Sequence, residues 1–561
     1  MKRVVPYAIG VLVAFGLAVL ISSMLARSSK PIDDGFAAQL DLSPLDRAAV
    51  YADGRLKSYD SFARDALSTI AGRNRIAALP PDVAYLDLML RPQAHAAEPT
   101  VFVKKKVVRS QIVQAAERDG LASREELDVF LETGMIRDEV LIGPETATLL
   151  RRLSSDLLRG SKAFNQIMAS VQLQQPGALG SRLRLVPPPP RVTEAGGKMP
   201  WGSVADIEAG LAGEPLRRAW AELSATWRVE DAEGANAALA GFVELLRTEV
   251  NPGAYPSPTR LAFESWYFKL AHLTWVWLVY LFAVALLLMA VAYKWEGARG
   301  VGLGLFWGGF ALHTLALAWR WWVSGRWPNS NMFEAVTTSV WLAAAVAIVL
   351  EFVSRRGPMR NLFALGASAA CMCAMMAAHY IPELDPGIKN MMPILHDLWL
   401  YIHTNVIIAS YALIAMAAAL SGLYIVRRAF MGSRADYARA GGAMLFTGGA
   451  SVAAQGRSTN LGQVLDGATM VLIELSFLLL WAGIVMGAIW ADHSWGRPWG
   501  WDPKEVFALN TFIVYIVLIH VRLKARDKGL WTAVLSIVGA GVMLFNWIVI
   551  NFVISGLHSY A

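Results

Sequence analysis

Cysteine is nearly absent from this chain: two residues in 561, Cys371 and Cys373, both inside an apolar run. That placement implies no disulfide framework. Neither Cys-x-x-Cys nor Cys-x-x-Cys-His occurs, so the chain is not an obvious thiol oxidoreductase and is not itself a c-type cytochrome. Charge is scarce as well. Asp, Glu, Lys and Arg make up 17% of residues against 55% hydrophobic, a balance too apolar for a water-soluble chain of this length and suited to a polytopic membrane protein. The net charge of +7 is no nucleic-acid footprint, because Arg and Lys of the membrane half fall in alternate loops. Residues 31–260 lack a metal cluster, a phosphate loop or a nucleophile constellation, and His95 stands alone there as an expected surface residue.

What is present falls into three parts. Residues 1–30 hold a basic start and an apolar stretch to about Leu25, read as an uncleaved anchor with a cytoplasmic N-terminus, or else as a signal peptide. Residues 31–260 read as an extracytoplasmic, mainly α-helical soluble domain in two parts, joined by a stiff linker at Pro187–Pro190. Pro81 opens a helix to Leu90, Ser123 and Glu126 form a capping box, and helical patterns cover Thr146–Leu173, 203–228 and 231–250. The stretch Asp53–Tyr59 has turn chemistry without an assignable role.

Residues 261–561 carry eight runs long enough to span a bilayer at roughly 20 residues each. They are 267–293, 301–323, 333–353, 361–380, 398–426, 468–490, 506–523 and 530–554. The fold class expected is therefore all-α: a polytopic helix bundle of eight C-terminal spans, one N-terminal anchor span and the soluble domain. Basic residues sort to one side of the spans, which puts the loop 495–505 outside.

That loop, Trp495-Gly-Arg-Pro-Trp499-Gly-Trp501-Asp502-Pro-Lys504-Glu505, sets three tryptophans on a backbone shaped by glycine and proline. It reads either as a flat platform for a large planar ligand or as an interfacial aromatic belt. His403 and His558 lie at the same outer level, where two neutral imidazoles flanking a platform suit axial ligation of a haem iron. His520 and His313 lie deeper, as does Glu474. Ionisable groups at that depth are functional candidates, although for His313 a hydrogen bond to a neighbouring helix is an equal reading. Asp502 and Glu505 either attend the ligand or cap the next helix, and Glu505 reads as the cap.

The loop matches the tryptophan-rich "WWD" signature of haem-handling proteins. Together with His520-Val521-Arg522, Gly556-Leu-His558-Ser-Tyr560 and Pro328-Asn-Ser-Asn331-Met-Phe-Glu334, it resembles the CcsA (ResC) branch over about residues 266–561. The CcmC and CcmF proteins share the signature, but the short tail fits them less well. The resemblance implies a bacterial inner-membrane subunit of a System II holocytochrome c synthase, or cytochrome c haem lyase. Haem b would be bound ligand and substrate, with Trp495, Trp499, Trp501 and Asp502 around it. His403 and His558 would be the outer axial ligands, and His520 an intramembrane ligand. Implied partners are a CcsB (ResB)-like membrane protein, apocytochrome c bearing CxxCH, thiol-reducing proteins and membrane lipid; no nucleic acid is implied. The N-terminal part does not look like a complete CcsB, so the second intramembrane ligand comes from a separate partner or is His313. A haem exporter without attachment activity and a b-type electron-transfer subunit are the rival classes.

Overall fold

The computed structural model describes residues 5–552 and 554, apart from 29–34, 73–75, 77–78, 96–97, 156–159, 176, 190–199, 382, 392–394 and 432–459. The chain forms two compact units, residues 1–23 with 271–561, and residues 24–270.

The second unit is mainly helical. Pro81–Leu90 is a helix with proline at its first turn, and Ser123 Oγ accepts from the Glu126 amide at the start of Arg124–Thr133. Thr146–Leu173 divides into helices Pro144–Ser155 and Ser161–Leu173. The turn at Asp53-Gly54 closes an antiparallel hairpin of Ala49–Ala52 with Arg55–Ser58; both turn residues have positive φ (51° and 77°), as a two-residue hairpin turn requires. A second hairpin pairs Val101–Phe102 with Met135–Ile136. Apolar residues gather in two clusters. One joins residues 45–90 to 173–246, and the other is built from residues 101–167. The division therefore does not fall at the proline run: Pro187 and Pro188 are buried, and the Pro188 carbonyl accepts from Asn251 Nδ2 at 2.8 Å. Stiff polyproline is as good a core-edge strand as it is a linker.

His95 is also a correction. It is buried, with Nε2 2.7 Å from Asp87 Oδ2 and Nδ1 3.3 Å from Glu98 Oε2, and Asp87 Oδ1 accepts from Trp227 Nε1 at 2.8 Å. Two carboxylates, invisible as partners in the sequence, replace water for this ring.

Among the described residues nine helices are long and apolar enough to cross a membrane, and the protein is a multi-pass membrane protein. They are α1 (Val5–Ser28), α2 (Trp277–Tyr293), α3 (Glu296–Ser324), α4 (Met332–Ser354), α5 (Leu362–Tyr380), α6 (Leu398–Met431), α7 (Leu461–Trp495), α8 (Pro503–Lys524) and α9 (Lys528–Phe545). Such helices satisfy their own backbone groups, the condition for crossing hydrocarbon. The run expected from residue 267 becomes α2 only at Trp277, because Ala271, His272 and Leu273 hold positive φ. α1 approaches α3 backbone to backbone: a Cβ on Gly304 would strike the Tyr7 carbonyl, and one on Gly308 the Ala14 methyl. Small residues at such a seam are the usual means of close helix packing in membranes.

Candidate functional site

A cleft of about 1110 Å³, counted with its open mouth, lies among α4, α6, α7, α8 and the turn that follows α9. His403, Trp499 and Glu505 line it; Trp495, Trp501, Asp502 and His520 do not. His558 lies outside the described residues.

His403 sits in the second turn of α6, whose start is held by Asp397 Oδ1 accepting from the amides of Trp399 (2.7 Å) and Leu400 (3.2 Å). Its Nδ1 is 2.6 Å from the Gly483 carbonyl on α7. A carbonyl can only accept, so Nδ1 carries a proton, and in the neutral form of the ring the lone pair is on Nε2. That is the usual way a backbone carbonyl prepares a histidine for a metal. Gly487, one turn further along α7, leaves the ring its space: a Cβ there would lie 2.5 Å from His403 Cε1. The Gly483-x-x-x-Gly487 spacing was in the sequence but is informative only once α6 is known to lie against it.

The tryptophan loop is shaped from below. Asp502, buried, caps α8 by accepting from the Lys504 amide (3.1 Å), while Glu505 Oε2 accepts from the amides of Gly500 (2.9 Å) and Asp502 (3.2 Å). Both carboxylates thus fold the loop. Trp499 faces the cleft and meets Trp501 edge-on at 6.0 Å, whereas Trp501 is 73% exposed and Trp495 packs edge-on against Trp490 at 6.2 Å. The wall indoles missed by sequence reading are Trp490, within α7, and Trp547, in the turn after α9, neither with a loop context to mark it. Lys504 places a cation on the lining, and Asn546 and Trp547 enter it from a five-residue π turn, Asn546–Ile550, where Asn546 Nδ2 donates to Tyr411 Oη at 2.9 Å. Such turns inside helices commonly mark functional positions.

His520 is exposed on the outer face of α8, its Nδ1 2.8 Å from its own helix at the Ile516 carbonyl. Two residues on, about 200° around the helix, Arg522 turns inward and grips Asp466 of α7 at 2.7 Å through both nitrogens. That ion pair sets the rotation of α8. His313 is completely buried in α3, its ring 6.3 Å from that of Tyr280 and directed at the Thr337 backbone of the neighbouring helix α4. An enclosed His313 and an outward His520 are not arranged as a pair around one ligand. Glu474 is exposed on α7.

Comparison with known proteins bears on this arrangement. Residues 329–558, which include the cleft, match the family model described as "Cytochrome C assembly protein". The "Cytochrome c biogenesis protein CcsA" of Synechococcus sp. (strain RCC307) is 32% identical over 258 residues, 44% of this chain and 81% of the relative. That of Synechococcus sp. (strain CC9311) is 31% identical over 296 residues, 50% of this chain and 96% of the relative. The chain belongs to the CcsA family. As a CcsA-family protein it acts in cytochrome c biogenesis, and membership of a cytochrome c assembly family implies haem handling.

Proposed function

We propose that this protein is the haem-presenting subunit of a holocytochrome c synthase in a bacterial inner membrane. The observation that carries the proposal is a single cleft lined by Trp499, Trp490 and a histidine whose Nδ1 is committed to a backbone carbonyl. In this reading the cleft faces the outside, as the distribution of basic loops suggests, residues 31–260 form an extracytoplasmic domain, and α1 is its anchor. Haem b is substrate. His403 ligates its iron on one side and His558 on the other, while Trp499 and Trp490 cover the ring and Lys504 attracts its anionic edge.

His520, facing outward, holds haem before it reaches the cleft, together with a histidine from a CcsB-like partner. Its exposed position favours that partner over His313. An apocytochrome c, kept reduced by thiol-reducing proteins, then offers the two thiols of CxxCH. Each S–H adds across a vinyl C=C, the sulfur bonding one carbon and the hydrogen the other, so no oxidant is consumed. The chain's contribution is positioning. The test is His403→Ala in the full chain co-expressed with a CxxCH apocytochrome. The visible spectrum should change, covalent haem should be lost, and added imidazole should restore part of both. A wild-type spectrum with full maturation would sink the assignment.

A further inference from the structure

Next to the cleft is a second cavity, of about 940 Å³ counted with its open mouth, which the reading above leaves unused. The two cavities share Ser330, Asn331 and Met332, so these three residues are a wall with a hollow on each side. The wall is held by a buried ion cluster. Glu334 and Arg320 are both within 1% of full burial and pair at 2.7 Å, and Arg326 reaches the same carboxylate at 2.8 Å. The two guanidiniums also fix the far side of the second cavity: Arg320 donates to the carbonyls of Pro386 (2.8 Å) and Gly387 (3.3 Å), and Arg326 to that of Lys389 (3.4 Å). Asn331 ties the sides together, its Nδ2 donating to the Gly387 carbonyl at 3.1 Å while its Oδ1 caps α4. A buried arginine and a partly buried one on a single buried glutamate are costly to assemble, and what they build is a preformed hollow.

From this geometry we infer that the second cavity is the docking site for the thiol-bearing segment of the apocytochrome, an inference that rests on the function proposed above. Three features select a polypeptide. The hollow adjoins the cleft through the 330–332 wall, so a chain lying in it passes beside a ring held by His403. Its lining carries Met332 and Met391, flexible thioether side chains that adapt to differing neighbours. That suits substrates in which only a short Cys-x-x-Cys-His stretch is constant. Its rim carries Glu383 and Asp385 against Lys389, which pairs with Asp385 at 2.8 Å, so it favours a neutral or basic segment over an acidic one.

The test uses the full chain in detergent and a fluorescein-labelled peptide centred on Ser-x-x-Ser-His, in which no covalent bond can form. Met391→Trp, which narrows the hollow, and Glu383→Lys with Asp385→Lys, which reverses its rim, should each weaken peptide binding about tenfold by anisotropy. Both should retain the haem spectrum of the wild type, which reports that the first cleft is intact. His403→Ala should alter that spectrum and bind peptide normally. Wild-type peptide binding in both cavity variants, or no binding by the wild type while it still matures cytochromes, would overturn the docking site and leave the function standing. A wild type that binds peptide and attaches no haem would overturn the function instead.

Discussion

Two histidines in the two units meet their surroundings in opposite ways. His95 faces a carboxylate at each ring nitrogen, and His403 faces a backbone carbonyl at one. Two carboxylates demand two donors and therefore an imidazolium. The bond to Asp87 comes first among the causes that raise the pKa of His95, with burial opposing it. Burial alone would raise the pKa of Asp87, but the bonds from His95 and Trp227 outweigh it and hold the carboxylate below its ordinary value. A carbonyl demands only one donor, which a neutral ring can supply. The same side chain is thus held by carboxylates that favour its protonated form in one unit and by a backbone carbonyl in the other, and in the function proposed above the second arrangement is the one that serves as a ligand.

The contrast breaks most completely at Gly487. Gly487→Val puts atoms where His403 Cε1 now sits, 2.5 Å from an ideal Cβ, and should abolish maturation as fully as His403→Ala without loss of protein. Normal maturation would show that the imidazole needs no fixed seat. Next comes Asp87→Ala, which strands a buried imidazolium and the Trp227 indole and should cost about 3–5 kcal/mol. Faster amide exchange in helix Pro81–Leu90, with an unchanged haem spectrum, is the expected pattern; a changed spectrum would mean that the two sites are coupled.

Smaller is the effect of pH on the same unit. Because the folded-state pKa of His95 is raised, its contribution is fully present below the unfolded value and is lost as pH rises through the folded one. Exchange protection of that helix should therefore fall over this window, and His95→Gln should remove that part of the pH dependence. Asn329→Ala should have the least effect. It deletes the 3.0 Å bond to Thr404 beside His403, worth about 1 kcal/mol, and should weaken haem retention only slightly in a titration; loss of the whole site would give this bond a larger role.

The spans were legible because a chain crossing hydrocarbon must be apolar for its full length, and composition alone records that. So was the capping role of Glu505, whereas Asp502, placed beside the ligand by resemblance, turned out to be the N-cap of the same box. The hairpin at Asp53-Gly54 left its turn chemistry in view but not its strands. The proposal that His403 ligates haem came from resemblance joined to its outer level, and the second member of that proposed pair, His558, lies outside the described residues.

Sequence by itself thus determined which segments are long and apolar enough to cross a membrane and that an aromatic loop sits between two of them. Tertiary structure decided which way side chains face. Trp499 turns into the cleft and Trp501 away from it, Trp490 joins from within a span, and His95 is inside rather than outside. The reason is the range of the forces. Periodicity and capping act within a few residues, whereas the rotation of α6 that presents His403 is fixed by Gly483 and Gly487, some 80 residues away on another helix.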